Sequence, residues 1–324
     1  MARSALRSLS SLAICVASAA VLAASGVPQR GSQGRGSQTR AGTPASDPTL
    51  EIQILLDRAG FSPGEIDGVD GANTGRAVAA FESAHRIAAG DRAALLQALN
   101  RGAADVLAPY TITAEDMAGP FTESIPADLM EQSKLPALNY RSVLEAMGER
   151  FHSSPELLRR LNPGARFAEG ETIQAPNVSS GAPGTPPANV RVVVSKEAST
   201  ATAYDASGKI VFYAPVTSGS EHDPLPIGSW VVTAVIKNPT FNYNPDLFWD
   251  ADPSHAKAKI PPGPNGPVGI VWIDISKEHY GLHGSPEPGK IGHTSSHGCV
   301  RLTNWDAARL AALVKKGTPV VFEQ

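Results

Sequence analysis

The feature that most restricts the fold of this 324-residue chain is a change of pattern at residues 179–189. This segment reads SSGAPGTPPAN, and a composition so rich in Pro, Gly and Ser is typical of a linker between domains. Before the linker, apolar residues recur at helical spacing. After it, short runs rich in Val, Ile and aromatic residues predict strands. We therefore expect a multidomain protein whose first part is largely helical and whose last part, residues 190–324, is mainly β.

The N-terminus carries the pattern of an export signal. Residues 1–24 begin with two arginines, Arg3 and Arg7, and continue with an apolar run from Leu9 to Ala24. The run is short and rich in Ala, which favours a cleaved signal peptide over a transmembrane anchor. Residues 25–46 are rich in Gly, Ser, Gln and Arg and are predicted to be a disordered linker. The mature protein is therefore expected outside the cytoplasm.

Charge and cysteine content restrict the classes of protein to which this chain could belong. The net charge is −3 and the sequence shows no dense Lys/Arg face, which argues against a nucleic-acid-binding protein. Of the two cysteines, Cys15 lies within the predicted signal peptide, so Cys299 would be the only one in the mature chain. A disulfide within the chain is then excluded. A lone cysteine in an exported protein indicates a reactive thiol or an intermolecular bridge.

The surroundings of Cys299 favour the reactive thiol. Residues 283–302 read HGSPEPGKIGHTSSHGCVRL and contain three of the eight histidines of the chain. An imidazole that takes the thiol proton, together with backbone N–H groups that receive the developing oxyanion, makes a cysteine a strong nucleophile. Gly298 allows a tight backbone turn beside the sulfur. The positive charge of Arg301 is expected to favour the thiolate.

A zinc site is the competing interpretation of the same residues. His283, His293, His297 and Cys299 could in principle surround a metal ion. Their spacing matches none of the usual zinc motifs, however, and the HExxH sequence is absent. We therefore predict no metal and no other cofactor.

HGS followed by a short loop and SHGCVRL resembles the signature of the L,D-transpeptidases, the cysteine enzymes of bacterial peptidoglycan cross-linking. The resemblance extends through residues 190–324, with similar segments at 201–209, 215–219, 224–228, 260–264 and 280–284. It implies a mainly-β, sandwich-like catalytic domain with one helix after the catalytic cysteine. That helix is predicted over Asn304 to Lys316, with Thr303 as its N-cap.

The resemblance also implies catalytic roles. Cys299 would be the nucleophile and His283 its base, with the Gly284 carbonyl orienting the imidazole. The backbone N–H groups of Gly298 and Cys299, together with His297, would form the oxyanion hole. We expect His297 to orient rather than to act as the base.

The substrate-binding residues are expected around the same motif. Arg301 would bind a carboxylate of the peptide stem. The remaining residues expected to shape or line the cleft are Ser296, Thr294, His293, Ser218 and Gly219.

Residues 47–102 resemble a second family. Apolar residues at helical spacing lead to Gly60, and the turn-rich FSPGEIDGVDG at 61–71 precedes a second predicted helix that begins near Thr74. This pattern resembles the small all-α peptidoglycan-binding domain. The resemblance implies affinity for the cell wall.

Residues 103–178 resemble a LysM carbohydrate-binding module of α/β type. Two short helices are predicted, Ser142 to Arg150 and Pro155 to Leu161, after a first strand at Tyr110 to Thr113. An insertion at roughly 117–139 departs from the LysM pattern, so a purely structural linker domain remains an alternative. His152, between the two helices, is expected at the surface or in a capping position.

These features together predict an exported L,D-transpeptidase of the periplasm or cell envelope, associated with the wall. It would form 3→3 cross-links through a thioester on Cys299, with peptidoglycan stems and glycan strands as partners and carbapenem-type β-lactams as inhibitors. If water accepts the acyl group, the enzyme is an L,D-carboxypeptidase; if a protein lysine does, it attaches that protein to the wall. A non-catalytic wall-binding or anchoring protein is the alternative of another class.

Overall fold

The computed structural model describes residues 47–100, 105–178 and 187–324. The predicted signal peptide (1–24), the first linker (25–46) and most of the second linker (179–189) lie outside the described residues. Within the described ranges, every helix is too short or too polar to cross a bilayer.

Residues 47–100 form a helical unit. Within them the structure contains α1 (Pro48–Arg58), α2 (Ala72–His85) and α3 (Arg92–Leu99). Asp47 caps the first helix by accepting from the backbone N–H of Thr49, a role for which Asp is well suited. The buried side chains that hold the helices together include Ile52, Leu56 and Phe81. Tyr213 of the C-terminal region packs into the same apolar cluster, so the helical unit is joined to the β region by a shared core.

Residues 105–178 form a second α/β region. Its elements are β1 (Leu107–Thr111), α4 (Ala114–Ala118), α5 (Leu129–Gln132), α6 (Val143–Arg150), α7 (Pro155–Leu161) and β2 (Thr172–Pro176). β1 pairs antiparallel with β2. The two predicted helices agree with α6 and α7 to within one residue. The predicted strand at Tyr110 to Thr113 begins three residues later than β1, which starts at Leu107. The reason is Pro109, because a proline within a sequence argues against a strand. Each strand of this two-stranded sheet has a free edge, where a proline without an N–H is tolerated.

Residues 187–324 form a mainly-β region. Its strands are β3 (Arg191–Ser195), β4 (Thr200–Tyr204), β5 (Ile210–Pro215), β6 (Thr217–Ser218), β7 (Gly228–Lys237), β8 (Phe241–Tyr243), β9 (Ala258–Ile260), β10 (Val271–Ile275), β11 (Gly281–His283), β12 (Val300–Arg301) and β13 (Pro319–Glu323). Within this range, nine of them form one sheet in the order β5-β4-β3-β13-β7-β10-β11-β12-β6, and β8 and β9 form a separate hairpin. The predicted fold class, a helical domain followed by a mainly-β domain, is confirmed.

The helix that follows the motif is α8 (Asn304–Leu313). Thr303 caps it, as predicted, by accepting from the N–H of Asp306 at 3.2 Å. The helix ends three residues before the predicted end at Lys316. Val314 leaves the helical conformation and packs into the core of the β region, and the N–H of Lys315 turns to the hydroxyl of Thr318. Burial of an apolar side chain therefore ends this helix earlier than its sequence pattern suggests.

A buried ion pair joins the three regions. Arg309 of α8 donates to both carboxylate oxygens of Asp57 in α1, at 2.7 and 2.9 Å. His152 of the middle region lies 3.2 Å from the same carboxylate and stacks on Trp305 of α8, with ring centroids 5.2 Å apart. The expectation that His152 lies at the surface is therefore wrong: its side chain is only 13% exposed.

The charges around Asp57 decide its ionisation. Burial alone would raise the pKa of this carboxyl, but His152 and Arg309 outweigh burial and hold the pKa well below its usual range. Asp57 is therefore ionised and depends on its partners, since an unpaired charge in the interior is strongly unfavourable.

We expect Arg309→Leu to lower the free energy of unfolding by about 3 kcal/mol or more, because it leaves a buried carboxylate with less compensation. The measurement is urea denaturation followed by circular dichroism. The control is Arg159→Leu, whose exposed ion pair with Glu156 (3.5 Å) should contribute less than about 1 kcal/mol. Adding Asp57→Asn to Arg309→Leu should recover part of the loss. Equal urea midpoints for Arg309→Leu and Arg159→Leu would contradict the prediction.

Candidate active site

The sequence motif surrounds a cavity of about 750 Å³ at one end of the sheet. The short strands β11 and β12 run parallel there, and their register places His283 opposite Arg301. This pairing brings together two parts of the motif that are separated by a loop of 16 residues, 284 to 299. The motif residues that line the cavity are Cys299, His283, His297 and Arg301.

His283 is held rigidly at the end of β11. Its ring is 4% exposed and stacks on Trp272, with centroids 5.4 Å apart. Its Nδ1–H donates to the carbonyl of Gly284 at 2.7 Å. A carbonyl can only accept, so the proton lies on Nδ1 and Nε2 has a free lone pair. Gly284 is the residue whose carbonyl is predicted to orient the imidazole, and this role in catalysis stays a prediction.

Burial also sets the charge of His283. It lowers the pKa of the imidazole to about 4; the bond to Gly284 opposes this shift, and the charge of Arg301 adds to it. The ring is therefore neutral at physiological pH. A neutral imidazole with a free Nε2 is able to accept a proton.

Asn304 fixes the backbone behind His283 and was missed by the sequence analysis. Its side-chain carbonyl accepts from the N–H of Ile270 at 3.2 Å, and its amide donates to the carbonyl of Pro264 at 3.1 Å. A Cβ atom on Gly284 would lie 2.2 Å from Asn304 Oδ1, so only glycine fits there. The sequence signal was the position of Asn304 directly after the N-cap of α8.

Cys299 precedes β12 and is half-buried, with Sγ 3.7 Å from the carbonyl of His279. Gly298 before it has φ +96°, and a Cβ there would lie 2.6 Å from the ring of Tyr280. Burial raises the pKa of the Cys299 thiol to about 11, although a backbone bond from Gly281 and the charge of Arg301 act in the opposite direction. The expectation that Arg301 favours the thiolate has the correct sign, but burial outweighs it.

His297 points toward a different partner. Its Nε2 lies 2.9 Å from Asp250 Oδ1, and its ring meets Phe248 edge-on with centroids 5.2 Å apart. Both partners belong to residues 239–262, a segment that contains β8 and β9 and that we call the lid hairpin. His297 therefore connects the Cys299 loop to the lid hairpin, and its catalytic role stays a prediction.

Ser296 shapes the loop around Cys299. Its hydroxyl donates to the carbonyl of Cys299 at 2.6 Å and accepts from the N–H of Gly219 at 2.8 Å. Ser218 pairs with Val300 through the strands β6 and β12. These residues are close to Cys299 through the backbone, and the side chain of Ser296 is buried.

His293 and Thr294 lie apart from this group. Both are exposed. The hydroxyl of Thr294 donates to the carbonyl of Lys290 at 3.3 Å, and the ring of His293 lies 3.3 Å from the amide of Asn73 in α2. His293 is thus directed toward the helical unit and away from the arrangement that a zinc site would require. Among the residues that the structure describes, no group of three or more His, Cys, Asp or Glu side chains is placed to hold a metal ion.

The sequence analysis missed most of the remaining wall of the cavity. Part of it comes from the lid hairpin, which contributes Tyr243, Phe248, Asp250 and His255. The available signal was aromatic density: residues 241–250, FNYNPDLFWD, contain four aromatic side chains. This segment does not predict a cavity wall, because its apolar residues recur at neither helical nor strand spacing.

We expect the Cys299 thiol to titrate near pH 11, because burial outweighs the cationic influence of Arg301. Thiolate absorbance at 240 nm measures this directly, with Cys299→Ser as the blank. Arg301→Gln should raise the midpoint further, since it removes a charge that favours the thiolate. A midpoint at or below pH 8 in the wild-type protein would contradict this assignment.

Comparison with known proteins identifies two regions. Residues 189–322 match the model of the YkuD family, described as "L,D-transpeptidase catalytic domain", and residues 46–89 match a "Putative peptidoglycan binding domain". The "Putative L,D-transpeptidase YkuD" of Bacillus licheniformis is 29% identical over 180 residues, which cover 55% of this chain and 91% of that protein. The "Probable L,D-transpeptidase YbiS" of Escherichia coli K12 is 42% identical over 65 residues, 20% of this chain and 21% of that protein.

Solved structures of the same class were also found. The L,D-transpeptidase from Mycobacterium smegmatis is 23% identical with a TM-score of 0.35, covering 42% of this chain and 59% of that one. The L,D-transpeptidase of Enterococcus faecium, as its C442S mutant, is 20% identical with a TM-score of 0.33, covering 42% and 50% of the two chains.

The matches confirm the predicted L,D-transpeptidase and peptidoglycan-binding-like domains, and they imply a protein associated with the cell wall. The LysM-like interpretation of residues 103–178 stays a prediction. Residues 189–322 of this chain thus match the model of L,D-transpeptidase catalytic domains, acyltransferases that act on peptidoglycan, and residues 46–89 before them match a peptidoglycan-binding domain.

Proposed function

We propose that this protein is an exported enzyme that forms 3→3 cross-links in peptidoglycan through an acyl-enzyme on Cys299. The observation that carries the proposal is a cysteine and a neutral, oriented histidine that line one cavity of an L,D-transpeptidase domain. The donor would be a tetrapeptide stem, and the acceptor the side-chain amine of a neighbouring stem.

The first half-reaction forms a thioester. Cys299 Sγ attacks the carbonyl of the amide that precedes the terminal D-residue, while His283 Nε2 takes the thiol proton. The backbone N–H groups of Gly298 and Cys299 would stabilise the tetrahedral oxyanion. Collapse breaks the C–N bond, and the imidazolium returns the proton to the leaving amine of the D-residue. Arg301, half-buried in the wall of the cavity, would bind a carboxylate of the stem.

The electrostatics of the site support this order of events. The resting pair is a neutral thiol and a neutral imidazole, because burial disfavours both charged forms. Proton transfer would accompany the attack of sulfur on the bound carbonyl instead of preceding substrate binding. Because the pKa of His283 is low, its imidazolium would give up the proton readily in the next step.

The second half-reaction depends on the acceptor. An amine of a second stem attacks the thioester carbonyl and loses a proton to His283. The C–S bond then breaks, the imidazolium returns the proton to the sulfur of Cys299, and the new amide is the cross-link. Water would give an L,D-carboxypeptidase instead, and a lysine of another protein would give covalent attachment of that protein to the wall. Incubation with purified tetrapeptide stems and mass analysis of the products distinguishes cross-linking from hydrolysis. We expect 3→3 dimers and released D-residue, whereas tripeptides alone would overturn the cross-linking proposal.

We expect a carbapenem to form one covalent adduct with the full-length mature protein, because a nucleophilic thiol would open the β-lactam ring. Intact-mass analysis measures the adduct. Cys299→Ala should show none, and His283→Gln should slow its formation by about 100-fold or more, the usual contribution of a general base. A folded wild-type protein that forms no adduct would favour the non-catalytic, wall-anchoring alternative.

The helical unit is proposed to bind the wall, in accordance with its family. A groove of about 410 Å³ between its helices is the candidate contact surface, and Gly75 of α2 lies in it. A Cβ atom at Gly75 would meet nothing within 4 Å, so a larger residue fits without disturbing the fold.

We therefore expect Gly75→Arg, made in full-length Cys299→Ala protein, to fill the groove and reduce co-sedimentation with purified peptidoglycan. The matched control is Ser83→Arg, which adds the same charge at an exposed position of α2. Equal sedimentation of the two variants would exclude this groove as the contact surface.

A further inference from the structure

The insertion at 117–139, which the sequence analysis could not explain, lies against the active-site cavity. It is part of the connection between β1 and α6. Residues 119–140, which we call the strap, leave the middle region and pack along the lid hairpin. Their contacts fall into three groups, at the base, along the middle and near the tip of the lid hairpin.

At the base, the strap is bonded to the lid through its backbone. The N–H of Leu138 donates to the carbonyl of Pro262 at 3.0 Å, and the carbonyl of Leu138 accepts from the N–H of Asn265 at 3.0 Å. The side-chain amide of Asn265 adds a bond to the carbonyl of Asn139 at 2.8 Å. The fit is close: a Cβ atom at Gly263 would lie 2.1 Å from the carbonyl oxygen of Leu138.

Along the middle, the two segments share an apolar core. Leu138 of the strap is fully buried with Tyr243 and Ile260 of the lid hairpin. Partly buried side chains from both segments surround them, namely Ile125, Leu129, Met130, Leu135, Phe241, Phe248 and Ala258. The lid hairpin therefore owes much of its apolar packing to the strap, and a two-stranded hairpin alone is only marginally stable in water.

Near the tip, a polar link completes the contact. Asp128 of the strap accepts from His255 Nε2 at 3.1 Å, and His255 Nδ1 lies 3.0 Å from the hydroxyl of Tyr243. The ring of His255 is only 12% exposed, whereas Asp128 is 47% exposed, so the link joins a largely buried ring of the lid hairpin to the solvent-facing side of the strap.

The lid hairpin in turn reaches the catalytic loop. Its Asp250 and Phe248 contact His297, two residues from Cys299. Leu129 of the strap and His255 of the lid line the same cavity as Cys299. A continuous set of contacts thus runs from the strap through the lid to the loop that carries the nucleophile.

We propose that the strap is a substrate-positioning element of the active site: it holds the lid hairpin over Cys299, and Leu129 forms part of the surface that receives the stem peptide. The identity of that substrate rests on the function proposed above, whereas the support of the lid does not. Asp128, Leu129 and Leu138 act as positioning residues. The middle region, whatever its affinity for glycan, then contributes directly to the catalytic cavity.

The test is Asp128→Ser in the full-length mature protein. Asp128 also caps α5 by accepting from the N–H of Glu131 at 2.9 Å; serine preserves that cap but is too short to reach His255. The matched control is Asp91→Ser, an exposed N-cap of α3 that accepts from the N–H of Ala94 at 3.0 Å. We expect Asp128→Ser to raise the KM for tetrapeptide stems about tenfold with a smaller change in kcat, since positioning groups have effects of this order or larger.

Two further readouts separate positioning from general destabilisation. Hydrogen exchange of residues 241–258 should be faster in Asp128→Ser than in Asp91→Ser, with exchange in β3 and β13 unchanged. Alkylation of Cys299 by iodoacetamide should be as fast as in the wild type or faster, because the lid covers the thiol less. His255→Gln breaks the same link from the lid side and should reproduce both results.

The proposal is overturned if exchange in the lid hairpin is the same in all variants, or if alkylation of Cys299 becomes slower. If the wild-type protein fails to process tetrapeptide stems, the proposed function fails, and hydrogen exchange still decides whether the strap holds the lid.

Discussion

The active site depends on one short backbone pairing, the parallel contact of β11 with β12. Two residues on each strand are enough to set His283 opposite Arg301 and to bring Cys299 into the same cavity. Residues 284–299, between the two strands, form a loop. The hydroxyl of Ser296 stabilises this loop through hydrogen bonds with the N–H of Gly219 and the carbonyl of Cys299. The other elements of the β region serve mainly to keep this pairing in place, since β10 supports β11 on its other side.

A second constraint acts behind the histidine. The backbone at Gly284 lies so close to Asn304 that no side chain fits at position 284. The carbonyl of Gly284 accepts the hydrogen bond from Nδ1 of His283. Asn304 is also bonded to Glu149 of the middle region at 3.2 Å. Ordering of the His283 imidazole is therefore shared between the β sheet and residues that precede it by more than a hundred positions.

The sequence predicted those parts of the molecule that have a local cause. The helices α6, α7 and α8 follow from capping serines and a threonine and from apolar spacing, and the long strands follow from runs of Val and Ile. The neighbours of Cys299 in the motif at 283–302 indicate a candidate nucleophile, whereas the choice of His283 as its base follows from the family resemblance. For α6 and α7, whose ends are set by local signals, prediction and structure agree to within one residue.

The parts that could not be predicted have distant causes. Strands of two or three residues, such as β8 and β12, are too short to show a period, and the strap is ordered by contacts with residues about 125 positions later, as between Leu138 and Pro262. The neighbours of His152 in the sequence indicate a surface position. Its contacts in the structure, Asp57 and Trp305, come from two other regions of the chain. The pKa of Cys299 likewise follows from burial, which no short sequence pattern reports.

The junction of Asp57, His152 and Arg309 has a consequence for how such a protein could work on a polymer. Because the helical unit and the β region share a buried ion pair and an apolar cluster around Tyr213, this packing opposes independent movement of the two. A wall strand held by the helical unit would then approach Cys299 from a position that this packing sets. The distance between the point of attachment and the point of reaction would then be set by the packing of the two regions and not by the length of a flexible linker.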